Sequence, residues 1–259
     1  MFNEEAVRAA LQSTTLRGEI HVLRSTTSTN GDARRAALRG APHGSIWIAE
    51  EQTAGRGRGD HLWQSDAGLG LYLSLLIRPK LTAQDLQWLP LITGLAAAEA
   101  IESETGVAID IRWPNDLLIG ALKTGGILVE SKLAGAQVDF AIIGIGINLF
   151  HQHFSPGLGA TSLSLEMRGK SQPDAQSLAI ALLTRLGGEL EQLCGTTARD
   201  AFIQRLYQRS SWLRGRRVTV HGPQACSGTT AGVDERGMLL VDAAGGLRTI
   251  TTGGIRDAG

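Results

Sequence analysis

The segment Gln52-Thr-Ala-Gly55-Arg56-Gly57-Arg58-Gly59 alternates glycine with arginine. It combines backbone amides that can approach an anion closely with two planar guanidinium forks suited to carboxylate or phosphate. No Gly-Lys-Ser/Thr ends it and no helical pattern follows, so it is not a Walker-type loop. Taken alone, the segment also fits a solvated loop or an Arg-Gly RNA contact. Lys123 is one of four lysines against 21 arginines. Its place beside Gly125-Gly126 points to a site where a compact charge is needed, although a solvated lysine fits as well. Arg112-Trp-Pro-Asn-Asp116 gathers a guanidinium, an indole, an amide and a carboxylate at one strand end. The carboxylate could hold Mg²⁺ or receive a proton, and Pro-Asn-Asp is equally a plain turn.

These residues need elements to position them. A strand over 20–24 leads into the polar run Ser25–Asn30, with a helix from Asp32 to Leu38 and Ser28 or Thr29 as its N-cap. A short strand at 46–49 precedes the Arg-Gly loop, and a strand at 69–77 follows it. Thr82 and Asp85 open a long helix reaching about Glu104, which Pro90 should kink or restart. Strand 109–113, a turn at Pro114-Asn-Asp116 and a hairpin over 117–119 and 122–130 place Lys123 near the start of the second hairpin strand. Over 138–149 the period of two puts Ile142, Gly144, Gly146 and Asn148 on one face and Ile143, Ile145, Ile147 and Leu149 on the other. Bare stretches at Gly125-Gly126 and Gly144/Gly146 imply a flat ligand, with bulges or close packing as the plainer account of each. An amphipathic helix follows from Ser171-Gln-Pro-Asp174 and another over 197–209. Beyond Trp212 four short β-type runs with Gly-rich turns read as a small barrel, so the domains divide into 1–210 and 211–259.

The whole chain is electrically balanced, 25 basic against 25 acidic residues in 259, with 42% hydrophobic residues. This is a globular composition and argues against bulk-charge DNA binding. Cys194 and Cys226 form no CxxC or Cys/His cluster, the six histidines show no HxxxH spacing, and no Gly-x-Ser-x-Gly elbow occurs. Zinc hydrolysis, triad hydrolysis and a disulfide framework are therefore unsupported. The acidic start lacks a signal-peptide pattern and no apolar run reaches membrane-span length, so a cytoplasmic protein without membrane contact is expected.

Five segments in order closely resemble the biotin protein ligases. They are Ser28-Thr-Asn30, Glu50-Glu-Gln-Thr-Ala-Gly-Arg-Gly-Arg58 with Trp63, Arg112-Trp-Pro-Asn-Asp116, Lys123-Thr-Gly-Gly-Ile-Leu-Val-Glu130 and Gly144-Ile-Gly-Ile-Asn148. Ala160-Thr-Ser-Leu163 resembles the family segment after that last strand. The resemblance implies an α/β (α+β) catalytic domain like that of class II aminoacyl-tRNA synthetases, with a mixed sheet and helices, plus an SH3-like C-terminal barrel. It implies an ATP- and Mg²⁺-dependent ligase that makes biotinyl-5′-AMP and transfers the biotinyl group to a lysine of the biotin carboxyl carrier protein of acetyl-CoA carboxylase. By the same resemblance Ser28, Thr29, Asn30, Gln52, Gly55, Arg56, Lys123, Gly126 and Gly144 bind biotin. Arg56, Arg58, Trp63, Asn115, Lys123 and Asn148 bind ATP or the adenylate. Lys123, Arg58 and Asp116 act in catalysis, and Asp116 is the Mg²⁺ candidate. Asp60 and His61 replace the glycine and arginine usual in the family loop, and Asp60 adds negative charge near an anionic ligand. About 20 residues precede the first strand, too few for the helix-turn-helix domain some members carry, so no DNA role is expected. A homodimer is left open. The alternatives are a lipoate or octanoyl transferase of the same superfamily, which would need an apolar channel in place of the polar set, and a non-enzymatic biotin or RNA binder. The Arg214-Gly-Arg-Arg217 cluster could serve RNA, ATP or carrier contact, or be plain solvated surface.

Overall fold

In the computed structural model, which describes residues 2–59, 61–167, 172–193 and 196–258, the chain forms two sheets. The larger is built from β1 (Ile20–Leu23), β2 (Ser45–Ala49), β3 (Gly70–Ile77), β4 (Asp110–Arg112), β5 (Asp116–Ile119), β6 (Leu122–Ala134) and β7 (Gln137–Asn148). Its spatial order is β1-β2-β3-β7-β6-β5-β4. The β1–β2 pair is parallel and every other neighbouring pair antiparallel.

Around it lie α1 (Glu4–Ala10), α2 (Thr29–Leu38), α3 (Trp88–Thr105), α4 (Leu163–Glu166), α5 (Ala175–Gln192) and α6 (Thr196–Arg209). The sequence pattern of α1 and α4 is too short to announce them. Helix α2 starts at Thr29, three residues before the expected Asp32, because the Ser28 side chain accepts from the Gly31 amide and caps it. Thr82 and Asp85 form a capping box on a separate 3-10 turn, Ala83–Asp85. Helix α3 begins only at Trp88, so Pro90 sits in its first turn, where a missing N–H costs no intrahelical bond, and the expected kink has no cause. Asp174 caps α5 through the Ser177 amide; Asp60, Ser171 and Cys194 lie outside the described residues.

Helices α3 and α5 cover one face of the sheet, and Ile143, Ile145, Ile147 and Leu149 join their core. Helix α2 covers only part of the other face, where Ala33, Ala37, Trp47, Leu76, Phe140 and Ile142 cluster. Further along that face β7 carries Gly144, Gly146 and Asn148, beyond the reach of the α2 core.

The second sheet is antiparallel and holds β8 (Arg214–His221), β9 (Cys226–Val233), β10 (Leu239–Ala243), β11 (Gly246–Ile250) and β12 (Gly254–Asp257), in the order β11-β10-β9-β8-β12. The pattern gave four of these runs; β12 is too short and glycine-led to show. Val218, Val220, Leu239, Val241, Ile250 and Ile255 belong to the same core as α3. The Trp113 indole donates to the Gly237 carbonyl at 3.1 Å, and Trp88 to that of Glu235 at 3.3 Å. Among the described residues no helix is long and apolar enough to cross a membrane.

Candidate active site

The sheet register brings the site together. Ser74 lies opposite Gly144 and Tyr72 opposite Gly146, while Gly126 faces Gly146 from the other side and Glu130 pairs with Ile142. Direct partners share a face, so β3, β7 and β6 present Ser74, Gly144, Gly146, Gly126 and Glu130 to one surface. Gly125 points the opposite way: a Cβ there would meet Leu117 Cδ1 at 2.9 Å. Its bareness serves core packing, which corrects the reading of Gly125-Gly126 as one bare patch.

The Arg-Gly segment closes as a hairpin. Gly57 N donates to His61 O at 2.7 Å, Trp63 N to Gly55 O at 2.9 Å and Gln52 N to Ser65 O at 3.0 Å. Gly55 is pressed beneath it, for a Cβ there would sit 2.5 Å from both Ser65 Oγ and Trp63 O. The hairpin lays the Trp63 indole flat over the glycines, with Nε1 2.5 Å from a Cβ built on Gly146 and Cζ3 3.4 Å from one built on Gly126. The Trp63 N–H is buried with no hydrogen-bond partner among the described residues, an arrangement that costs about 1–3 kcal/mol unless a ligand or water satisfies it.

At the mouth of α2, Thr29 donates its amide and hydroxyl to Gln52 Oε1 at 2.9 and 3.0 Å, and Gln52 Nε2 donates to Ser65 Oγ at 3.0 Å. Asn30 lies over Gly144, so that a Cβ there would meet Asn30 Oδ1 at 2.2 Å. Asn30 Nδ2 donates to Glu130 Oε2 at 2.8 Å, and Arg56 Nη2 reaches the same oxygen at 2.8 Å. Ser28 Oγ is occupied in capping α2.

The other end of the site is charged. Asp116 Oδ1 receives Lys123 Nζ at 2.5 Å, and Oδ2 receives Arg112 Nη2 at 2.7 Å. Burial alone would push the Asp116 carboxyl up, but Lys123 and Arg112 outweigh it and hold the group below the usual carboxylate range. Lys123 Nζ also stands 5.4 Å from the centre of the Trp63 ring. Arg58 donates to Gly253 O at 2.9 Å and approaches Asn115 Oδ1 at 3.4 Å. Burial draws its guanidinium below the ordinary arginine range, against the opposing pull of Asp116, and it stays cationic at neutral pH. Asn148 is buried and donates to Thr161 O at 3.0 Å, beside the short parallel bridge of Lys123 with Ala160.

With both carboxylate oxygens engaged by cations, Asp116 does not fit a Mg²⁺ ligand in this arrangement, and the described residues contain no cluster of three metal-ligating side chains. Glu130, Ser74 and Ser65 had no role in the sequence reading. Glu130 follows Gly126 at the strand period, a signal that places it on the ligand face. Gly253 carried none.

A glycine floor on which Trp63 and Asn30 rest, a wall of polar donors and acceptors and a cationic end define a site for a polar ring joined to an anionic tail. The comparisons give this class its family. The biotin/lipoate A/B protein ligase family model matches residues 21–148. The chain is 31% identical to the bifunctional ligase/repressor BirA of Bacillus spizizenii over 96% of this chain and 77% of that one. It is 32% identical to the biotin–[acetyl-CoA-carboxylase] ligase of Mycobacterium tuberculosis over 92% and 88%. The Aquifex aeolicus biotin protein ligase in complex with biotin and ATP superposes with a TM-score of 0.78 at 27% identity, covering 92% of this chain and 97% of that one. The chain belongs to the biotin/lipoate A/B protein ligase family, among the biotin protein ligases.

Proposed function

We propose that the chain is an ATP-dependent ligase that activates biotin as biotinyl-5′-AMP, releasing pyrophosphate, and passes the biotinyl group to a specific lysine of a biotin carboxyl carrier protein. The observation that carries this is the pairing of a polar wall (Thr29, Asn30, Gln52, Arg56) with a cationic end (Lys123, Arg58) across the glycine floor of Gly126, Gly144 and Gly146. Biotin has a matching shape, a neutral ureido ring at one end and a carboxylate at the other.

In this reading the ureido ring lies against the Asn30 and Gln52 side, and the carboxylate points toward Lys123. Attack of a carboxylate on the α-phosphate brings two anions together, so Lys123 and Arg58 offset the repulsion and stabilise the charge that gathers in the transition state. Trp63 covers the floor and limits water at the mixed anhydride, and its N–H, without a partner among the described residues, is left for the adenylate. In the second step the carrier amine attacks the anhydride carbonyl, AMP leaves, and Asp116 is the carboxylate nearest to Lys123 that can take up the proton once its ion pair opens. Magnesium would supply charge neutralisation to the triphosphate, and Asp116, paired with Lys123 and Arg112, is not set to hold it here. Residues 1–210 would form the catalytic domain and 211–259 a smaller second one, acting where ATP and the carrier reside, in the cytoplasm.

Pyrophosphate release that requires both ATP and biotin, and mass spectrometry showing a biotinyl adduct on a carrier-domain lysine, are the expected results. Adduct formation from octanoate or lipoate and not from biotin would replace this reading with the acyl-transfer one.

A further inference from the structure

Seven side chains stand within hydrogen-bond distance of one another in a row along the polar wall, and the row begins and ends on the Arg-Gly hairpin. Arg56 Nη2 donates to Glu130 Oε2 at 2.8 Å, and Asn30 Nδ2 to the same oxygen at 2.8 Å. Asn30 Oδ1 then lies 2.6 Å from Ser74 Oγ, which is 2.8 Å from Thr29 Oγ1. Thr29 Oγ1 donates to Gln52 Oε1 at 3.0 Å, and Gln52 Nε2 to Ser65 Oγ at 3.0 Å.

Amides and hydroxyls can be turned either way, so such a row has no inherent direction. A carboxylate can only accept. Facing Glu130, Asn30 has to present its NH₂, which leaves its oxygen to accept from Ser74 and uses the one Ser74 hydrogen. The single Thr29 hydroxyl hydrogen serves either Ser74 Oγ or Gln52 Oε1, and Gln52 is oriented by the Thr29 amide at 2.9 Å, so the sense imposed by Glu130 extends to Asn30 and Ser74 and stops there. Glu130, mostly buried with an 18% exposed side chain, is the acceptor-only member of the row.

We infer that Glu130 is a positioning residue that fixes which end of the Asn30 amide faces the ring-binding wall and anchors Arg56 over it, and so sets specificity for a ureido ring. This rests on the reading of the site as a biotin site. Using one of its nitrogens for Glu130 leaves Arg56 with free N–H groups for the ligand. A ureido group offers one acceptor and two donors in a fixed plane, and a wall of fixed sense rejects an isostere with the wrong set far better than an apolar pocket could.

The test uses Glu130→Gln and Glu130→Asp in the full chain, with biotin and 2-iminobiotin as probes, the latter bearing an imino group where biotin has its ureido oxygen. Glutamine keeps the size but can donate to Asn30 Oδ1 and let the Asn30 amide, and with it the Ser74 hydroxyl, turn over. Its KM for biotin is expected to rise at least tenfold with kcat changed less than threefold, and the biotin to 2-iminobiotin affinity ratio to narrow at least tenfold. Glu130→Asp keeps an acceptor-only group and is expected to preserve the ratio while weakening both ligands, an outcome that holds the assignment to account even if the glutamine variant does not fold. Glu130→Gln with wild-type KM and ratio, or Glu130→Asp with a collapsed ratio, overturns it. A wild-type chain that neither binds biotin nor releases pyrophosphate removes the biotin reading itself, whereas an active wild type with an indifferent Glu130→Gln removes only the role of Glu130.

Discussion

Lys123 lies 2.5 Å from Asp116 and beside the Trp63 ring, at the point where the proposed carboxylate and phosphate meet. Lys123→Ala leaves Asp116 paired with Arg112, so the fold is expected to survive with an unchanged circular dichroism spectrum. Biotin-dependent pyrophosphate formation should fall ~10²–10³-fold, the usual loss when one group stabilising transition-state charge is removed; a near-normal rate would take Lys123 out of the reaction. Arg58 differs because its guanidinium is already tethered to Gly253 O, which would hold it in place for the phosphate of the proposed intermediate. Arg58→Gly should remove about 1.5–3 kcal/mol of charge-assisted bonding and raise the biotinyl-AMP off-rate ~10–150-fold. Escaped adenylate would then acylate bystander lysines, read as biotin incorporation into albumin. Unchanged off-rate and unchanged incorporation would mean Arg58 makes no contact with the intermediate.

Among the elements, the hairpin from Gln52 to Ser65 does the covering and β7 supplies the floor. Its fit to the floor is tight, since Trp63 Nε1 comes within 2.5 Å of where a Gly146 Cβ would stand. Gly146→Ala has to lift the indole off the sheet, and the KM for ATP should rise about tenfold, the equivalent of ~1.4 kcal/mol. Steady-state pyrophosphate release at varied ATP measures it, and an unaltered KM would show that Trp63 does not form the nucleotide side. Glycine-rich backbone retains much freedom until a ligand restricts it. Amide exchange over 55–59 should therefore slow at least tenfold when biotinyl-AMP binds; equal protection with and without it would contradict a covering role. Most of these elements were legible because their signals are local: the Ser28 cap, the Thr82–Asp85 box and the period of two along β7. The kink expected at Pro90 failed because one proline reads the same at the start of a helix and in its middle, and only the 3-10 turn before Trp88 decides between them.

At the level of the whole molecule, long-range contacts bind the second sheet and the helices to the large sheet. Asp85 joins the Thr82 turn to α6 through Arg199 Nη2 at 2.6 Å. Burial would raise its carboxyl, but hydrogen bonds from Thr82 and the charge of Arg199 hold it below the usual range. An unfolded aspartate titrates near 3.9, so below about pH 4 the unfolded chain binds the proton first. The stabilisation is therefore complete above that pH and is lost as pH falls through the lower folded value. Asp85→Asn should lower the urea midpoint at neutral pH and flatten its decline from about pH 4 to pH 2; a variant with a parallel decline would show that other carboxylates govern the acid limb.

By itself the sequence determined the candidates and their order along the chain. Glycine, arginine, lysine and tryptophan at those spacings limit the chemistry, and caps and periodicity are properties of neighbours within a few residues. Tertiary structure alone decided which groups touch. Arg58 meets Gly253 across 195 positions and Asn30 meets Glu130 across 100; no local pattern encodes such pairs, because they follow from strand order and register. The same holds for Asp116, whose place in the sequence allows a metal ligand or a turn. Packing β5 between β4 and β6 sets it between Arg112 and Lys123, an ion-pair triad that its place in the sequence does not reveal.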